Sequence, residues 1–323
     1  MNPTIVVLAA GMSSRYGRIK QLEPFGPEGE TLLDYSVFDA LRAGFSRVVL
    51  VIRRELEDAF REHVEGRWPR TVEVHYHFQR RDDLPAGAPE GAVPDREKPW
   101  GTAHALLTAR PFLAHPFVVL NADDFYGSSP FREAISLLRA GLPPGSGAGG
   151  RQPDVTTFAL MAFTLRDTLS GHGGVNRGLC RVSPDGWLEE VREVFDIVRE
   201  EGGLRGRTFS GRELALTGEE PTSTNFWVFT PQVFPFLEAG FRRFLDRAVP
   251  AGGTSEGEGE PEYLIPTEVN RWLEAGEVRV RVPRAGRSFL GITHPADRDQ
   301  VVEGLRRLTL EGRYPTPLWG GGG

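Results

Sequence analysis

The chain has 323 residues, of which 39% are hydrophobic, and its formal net charge at pH 7 is −6. The acidic balance argues against broad binding to nucleic acid or to membrane surfaces, and the single cysteine, Cys180, excludes an intrachain disulfide framework and a cysteine-rich metal site. No apolar run approaches the ~20 residues that span a bilayer. The first apolar run also lacks a basic leader, so we expect a cytoplasmic protein with no membrane partner.

Apolar strands alternate with amphipathic helices through the first half of the sequence. Thr31 and Asp34 form a capping-box pair at the start of a helix that Gly44 ends. Ser129 is expected to cap a later helix, with Pro130 in its first turn. The predicted strands are residues 4–10, 47–52, 71–78 and 117–121, and the predicted helices are 31–44, 54–64, 102–109 and 129–141. This alternation predicts a largely parallel α/β sheet.

The second half is richer in strands and more irregular. Strands are predicted over residues 154–163, 178–182, 224–229 and 277–282, and helices over 261–275 and 295–310. Three segments rich in glycine and proline, residues 84–95, 142–151 and 251–260, are expected to be flexible insertions, and residues 320–323 a disordered tail.

The loop after the first strand is rich in glycine, hydroxyl and basic side chains. Gly11 lets the backbone pass close to a bulky ligand, while Arg15 and Lys20 supply positive charge. Successive backbone N–H groups in a tight turn form an anion-binding concavity, so a polyphosphate is the natural ligand. The spacing of Gly11 and Gly17 fits neither a P-loop nor a dinucleotide fingerprint. On these residues alone, an ordinary strand-to-helix connection is the alternative.

The segment LAAGMSSRYGRIKQLEPFG, residues 8–26, resembles the signature loop of the sugar-1-phosphate nucleotidyltransferases. In that family the loop wraps the triphosphate of a nucleoside triphosphate, and Gly11, Arg15 and Lys20 occupy the matching positions. The resemblance implies catalytic roles for Arg15 and Lys20. It also implies nucleotide contacts from the residues of the loop's first part, which are Leu8, Ala9, Ala10, Gly11, Met12 and Ser13.

A second motif, Lys98-Pro-Trp-Gly-Thr102, stands at the start of the predicted helix 102–109. A glycine there allows a flat base to approach the backbone closely, although plain helix capping is the alternative. The motif resembles the family's Gly-Thr segment, which reads the nucleotide base, and so implies nucleotide contacts from Gly101 and Thr102. Arg96 and Lys98 occupy the positions where the family carries glutamine, and they are predicted to contact the nucleotide.

A third motif, Asn121-Ala-Asp123-Asp124, follows an apolar strand, so its acids should emerge at the carboxyl edge of the sheet. Such carboxylates suit Mg²⁺, and an Asx-turn that ends the strand is the alternative. The motif resembles the family's Asn/Gly-x-Asp element, which implies that Asp123 is catalytic and holds Mg²⁺. Asn225, just before a later apolar strand, is the implied second metal ligand.

Candidates for the sugar side come from the same resemblance. Gly174 lies in a glycine-rich turn that could wrap a hexose, Glu193 matches the glutamate that holds sugar hydroxyls, and residues 289–293 resemble a late family segment. Together with Asp124 and Asn225, Gly174 and Glu193 form the predicted sugar-phosphate site.

The resemblance implies a three-layer α/β/α, Rossmann-like and GT-A-like fold, with a mixed, mostly parallel central sheet and a β-rich sugar-binding part. We expect one nucleotidyltransferase domain over residues 1–312, with a nucleotide-binding half up to about residue 150 and a sugar-binding half over 151–312, followed by a tail, 313–323. The expected reaction is Mg²⁺-assisted nucleotidyl transfer from UTP or dTTP to a sugar 1-phosphate. The alternatives are cytidylyl or guanylyl transfer to a non-sugar phosphate, or nucleotide sensing without catalysis. Self-association is left open.

Overall fold

The computed structural model describes residues 3–11, 19–88, 96–142, 155–201, 203–248, 261–286 and 288–319. The predicted insertion 251–260 and the predicted tail 320–323 lie outside the described residues, as do residues 89–95 and 143–151 of the other two insertions.

Strands and helices alternate along the first half of the chain, as the sequence predicts. The elements of this half are β1 (Thr4–Leu8), α1 (Leu32–Ala43), β2 (Arg47–Ile52), α2 (Glu57–Arg67), β3 (Glu73–Phe78), α3 (Thr102–Thr108), β4 (Phe117–Asn121), β5 (Asp124–Phe125) and α4 (Ser128–Ala140). The second half contains β6 (Thr156–Thr164), β7 (Val175–Val182), β8 (Leu188–Glu200), β9 (Gly203–Arg207), β10 (Glu213–Leu216), β11 (Pro221–Phe229), α5 (Val233–Ala248), α6 (Ile265–Glu274), β12 (Val278–Arg281), β13 (Leu290–Gly291) and α7 (Asp297–Leu310).

Eleven of the strands form one mixed sheet, whose main path runs β10-β9-β8-β7-β11-β4-β1-β2-β3. Strands β4, β1, β2 and β3 pair in parallel, whereas β11 runs antiparallel to β4, β6 and β7. Parallel pairing among the described strands is therefore confined to the run β4-β1-β2-β3 and to the β6–β12 pair. Because parallel strands end at the same edge, the residues that follow β1, β3 and β4 meet there.

Helices cover both faces of the sheet and produce the predicted three layers. Ile5 and Val7 pack on one side with α1, α2 and α4, while Val6 packs on the other with α3, α5 and α6. This arrangement explains why β1 is an unbroken apolar run. Both faces of the strand are buried, so neither face carries polar side chains.

Local capping fixes the entry and exit of α1. The Thr31 side chain accepts from the Asp34 N–H, and the Asp34 carboxylate accepts from the Thr31 N–H, which completes the predicted capping box. Gly44 ends the helix in the left-handed conformation, at φ 108°.

The structure corrects two predictions about the elements of the fold. Ser129 does not cap α4, because the helix begins one residue earlier and its cap position is Gly127, which makes no side-chain hydrogen bond. Helix α5 and the strands β8, β9 and β10 are absent from the predicted elements. Strand β8 was missed because its buried residues recur every third position, at 188, 191, 194 and 197, rather than in alternation.

The segment after α7 packs against the rest of the structure. Tyr314 and Leu318 are buried in a cluster with Tyr35 and Phe125, and the Tyr314 hydroxyl donates to Asp39 at 2.6 Å. Within the described part of the chain, none of the helices has both the length and the apolar character needed to traverse a bilayer.

Candidate active site

A cleft of about 360 Å³ opens at the carboxyl edge of the parallel strands. Its walls come from the ends of β1 and β4 and from the start of α3, where the three motifs lie, and from the end of β3. The lining residues are Leu8, Ala10, Gly11, Gln21, Gln79, Lys98, Pro99, Gly101, Thr102, Ala105, Asn121, Asp123 and Glu262. We refer to it as the first cleft.

An ion pair brings the cation of the first motif to the acid of the third. Lys20 Nζ lies 2.6 Å from Asp123 Oδ2, with the two side chains 13% and 31% exposed. The same ammonium donates to the Ile292 carbonyl at 3.4 Å, so the predicted late segment also reaches this point. Water screens a poorly exposed charge less than an exposed one. The Lys20 ammonium, which lies beside the Asp123 carboxylate at the floor of the cleft, can therefore interact strongly with a bound anion.

A second cleft, of about 260 Å³, adjoins the first and shares Thr102 and Asn121 with it. Its walls carry hydroxyl, amide and carboxylate groups together with one guanidinium. The lining residues are Thr102, Asn121, Asp124, Asn176, Arg177, Gly178, Glu193, Ser223, Thr224, Asn225, Leu264, Pro266 and Phe289. Such a surface suits a ligand with many hydroxyl groups and a negative charge.

Asn121 is the centre of the wall between the clefts. Its amide nitrogen donates to Asp124 Oδ2 at 3.0 Å, and its amide oxygen accepts from Asn225 Nδ2 at 2.8 Å. Burial raises the pKa of Asp124 to about 6, and the charge of Asp123 adds to this rise, while the hydrogen bond from Asn121 opposes it. The hydroxyl of Tyr126 lies within hydrogen-bonding distance of both Asp124 and the Thr224 carbonyl.

Most of the predicted nucleotide contacts line the first cleft. Leu8, Ala10, Gly11, Lys98, Gly101 and Thr102 do so, whereas Met12, Ser13 and Arg15 lie outside the described residues. The side chain of Ala9 is buried in the core below the sheet edge.

Arg96 lines neither cleft. It is buried, stacks over Trp100 at 4.0 Å, and donates to the carbonyls of Pro99 and Pro261. Its guanidinium therefore ties the segment before α3 to the segment before α6. Arg96 was predicted to contact the nucleotide, but the residue found in the first cleft is Gln79, which follows β3 directly. The available signal for Gln79 was a polar residue directly after a strand that is expected to join the parallel sheet.

Of the predicted sugar-phosphate residues, the structure brings Asp124, Glu193 and Asn225 together in the second cleft but not Gly174. A Cβ at Gly174 would lie against Asp196 and Val198. The Gly174 carbonyl oxygen accepts from His294 Nε2. Gly178 lines the cleft instead, beside Arg177. Arg177 was not predicted as a site residue, although it lies in the glycine-rich turn that was singled out.

Asp123 fits a magnesium site, whereas the described conformation of Asn225 does not. Mg²⁺ is commonly held by one or two carboxylates together with phosphate oxygens and water, and Asp123 is a partly exposed carboxylate on the cleft floor. Asn225 commits both polar atoms of its amide, since Oδ1 accepts from Trp227 Nε1 at 2.9 Å and Nδ2 donates to Asn121. A bulge between Ser223 and Trp227 in β11 produces this orientation, with Asn225 at φ 63°.

Gly101 allows the chain to cross close to a neighbouring segment at the mouth of α3. Its φ of 102° is in the region that favours glycine, and a Cβ there would lie 2.6 Å from the Tyr263 carbonyl oxygen. Tyr263 N also donates to the Trp100 carbonyl. The contact therefore sets the distance between the two walls of the first cleft.

We expect Gly101→Ala to lower the free energy of unfolding by about 3 kcal/mol, since a strained backbone adds to a clash with backbone atoms, and to weaken nucleotide binding. Urea unfolding and nucleotide titration measure the two effects. Gly66→Ala is the matched control, because Gly66 lies in α2 with nothing within 4 Å of its Cβ position, and that change should be neutral or stabilising. Equal behaviour of the two variants would contradict the role given to Gly101.

Comparisons with known proteins bear on the family and on the fold. Residues 5–123 match the family described as the MobA-like NTP transferase domain. The fold is similar to that of the inositol-1-phosphate CTP transferase from T. maritima, at 15% identity, a TM-score of 0.57 and 96% coverage of each chain. It is also similar to that of HddC from Yersinia pseudotuberculosis, at 13% identity and a TM-score of 0.52, covering 93% of this chain and 98% of that one. No curated protein matches the sequence. The family match and the shared fold confirm the predicted nucleotidyltransferase resemblance.

Proposed function

We propose, from the match of residues 5–123 to the MobA-like NTP transferase domain, that the protein transfers a nucleotidyl group from UTP or dTTP to a sugar 1-phosphate. A phosphate oxygen of the sugar phosphate attacks the α-phosphorus of the nucleotide, the bond from that phosphorus to the bridging oxygen breaks, and pyrophosphate leaves. The observation that carries the proposal is the pair of adjoining clefts, which share Thr102 and Asn121 and have the Lys20–Asp123 pair on the floor of the first.

The chemistry of the attack needs no general base. A phosphate monoester is already largely ionised at neutral pH, since its second pKa is about 6, so the barrier lies in bringing two anions together. Positioning and charge neutralisation then supply the rate. Lys20 is suited to stabilise charge around the α-phosphate, because its ammonium is held rigidly by Asp123 and the Ile292 carbonyl.

The proposed cofactor is Mg²⁺, in keeping with the general use of a divalent metal by this family. Asp123 is the residue that would hold the ion, which when bound neutralises phosphate charge as a Lewis acid. Arg15 is proposed to contact the β- and γ-phosphates on the resemblance of its loop.

On the acceptor side, Arg177 is the cation of the second cleft among the described residues. Three of its five N–H groups donate to the carbonyls of Thr168 and Asn176, which leaves two for a phosphate. Glu193, Asn176 and Thr224 supply groups that can pair with hydroxyls. The hydroxyl of Thr224 is buried and has no hydrogen-bond partner within the described part of the chain.

The test is a panel of the four NTPs against several hexose 1-phosphates, with and without Mg²⁺, read by pyrophosphate release and by mass spectrometry of the product. CTP with inositol 1-phosphate belongs in the panel because a structure of similar fold is described as that transferase. We expect UTP or dTTP with a sugar phosphate to give the fastest release. Nucleotide binding without release from any pair would favour a sensor instead.

A further inference from the structure

The carboxylate proposed to hold the metal ion already has a cation bound to it. Lys20 Nζ lies 2.6 Å from Asp123 Oδ2, and the Lys20 side chain is only 13% exposed. The same ammonium donates to the Ile292 carbonyl oxygen at 3.4 Å, so two contacts from distant parts of the chain hold it against the carboxylate. Because the two side chains carry opposite charges, the pair presents no net charge to a metal ion that enters the first cleft.

Other oxygen atoms close to Asp123 are already engaged within the protein. Asp124 Oδ2 accepts from Asn121 Nδ2 at 3.0 Å, and the Asn225 amide oxygen accepts from Trp227 Nε1 at 2.9 Å. In the part of the chain that the structure describes, no three acidic, histidine or cysteine side chains are grouped so as to hold a metal ion. A divalent cation at Asp123 therefore depends on phosphate oxygens and water for its remaining ligands.

The charge of Lys20 opposes a metal ion that arrives without a nucleotide. An ion bound to the Asp123 carboxylate would lie beside the ammonium, and the two positive charges repel each other with little screening because Lys20 is mostly buried. A triphosphate reverses this balance, since it brings several negative charges as well as oxygen ligands. Lys20 can take part in its binding, because an ammonium has three donors and the contacts to Asp123 and Ile292 use two of them.

We propose that Lys20 closes the metal site of the nucleotide-free protein, so that a divalent cation binds at Asp123 only together with a triphosphate. The inference rests on the proposed function of this site, and it gives Lys20 a role in the binding of substrates as well as in the reaction. Linkage then requires the metal to tighten nucleotide binding by the same factor by which the nucleotide tightens metal binding.

The first test measures Mn²⁺ binding, as a probe for Mg²⁺, to nucleotide-free protein by electron paramagnetic resonance of the unbound ion. Lys20→Met keeps a long side chain but removes the charge, and we expect it to bind Mn²⁺ at least about tenfold more tightly than wild type. Adding Asp123→Asn to Lys20→Met should abolish the gain, which locates the ion at Asp123. Arg110→Met is the matched control, because it removes a surface cation paired with Glu238, and it should bind Mn²⁺ as wild type does.

The second test needs no Lys20 variant that folds. Thermal unfolding of wild-type protein is followed with Mn²⁺ alone, with UTP alone and with both. We expect Mn²⁺ alone to leave Tm unchanged, and both together to raise Tm more than UTP alone, since a ligand stabilises the folded state that binds it.

Three outcomes would each overturn the proposal. They are a rise in Tm with Mn²⁺ alone that Asp123→Asn removes, no added effect of Mn²⁺ in the presence of UTP, and equal Mn²⁺ affinities of wild type and Lys20→Met. Failure of pyrophosphate release with the expected metal binding intact would instead count against the proposed reaction alone.

Discussion

Lys20→Ala is expected to lower kcat by about 10²- to 10³-fold, which is the usual cost of removing one preorganised group that stabilises developing charge. The reason lies in its setting, because the ammonium is mostly buried and held by the Asp123 carboxylate at 2.6 Å and by the Ile292 carbonyl. An exposed lysine at the same distance would act through water and contribute far less. Steady-state pyrophosphate release with saturating substrates gives kcat directly.

The fold should tolerate this change. Asp123 is 31% exposed, so water can solvate its carboxylate once Lys20 is gone, and the free energy of unfolding should change by about 1 kcal/mol or less. Arg54→Ala is the control, since it removes a surface cation paired with Glu57 on α2 and should leave kcat unchanged. A Lys20→Ala enzyme with wild-type turnover would remove Lys20 from the mechanism.

Asp123→Asn is expected to lower metal-dependent turnover by at least about 10³-fold. The amide has nearly the shape of the carboxylate, but it has lost the charge that would hold Mg²⁺ and that now pairs with Lys20. A magnesium titration of the rate separates the two effects, because a weakened metal site shifts the curve to higher concentrations. A direct Mg²⁺ binding measurement in the presence of nucleotide supplies a readout besides activity.

The matched control for Asp123→Asn is Asp246→Asn, which makes the same chemical change on the exposed side of α5. We expect that variant to retain both its rate and its magnesium dependence. If Asp123→Asn kept the wild-type magnesium curve, Asp123 would not be the residue that holds the ion.

Local signals predicted the elements of the first half of the chain well. These signals were the apolar runs of β1, β2 and β4, the capping box at Thr31 and the glycine that ends α1. Each involves only a few neighbouring residues, so each can be recognised in the sequence. Strand β8 could not be read in this way. Bulges in its pairing and a left-handed Asp196, at φ 51°, make its buried positions recur every third residue, which imitates a helix.

The site was predictable where it depended on sheet order and was not where it depended on side-chain geometry. Asp123 lies at the strand edge expected of it, because any residue that follows β4 must emerge there. Arg96 was placed by its spacing from Gly101, but packing against Trp100 turned it away, and Gln79 reached the cleft from a different strand. A bulge in β11 directs the Asn225 amide to Trp227 and Asn121, and no local sequence pattern in β11 indicates that bulge.

Under the proposed function, the wall that the two clefts share has a consequence for the product. A nucleotide-sugar would contact both sides of Asn121 at once. It would lose translational freedom once on binding and gain both sets of contacts, whereas two separate substrates each lose translational freedom. Because Asn121 is held between Asp124 and Asn225, this partition does not have to rearrange to receive it. Product release, rather than nucleotidyl transfer, would then be the rate-limiting step of such a protein.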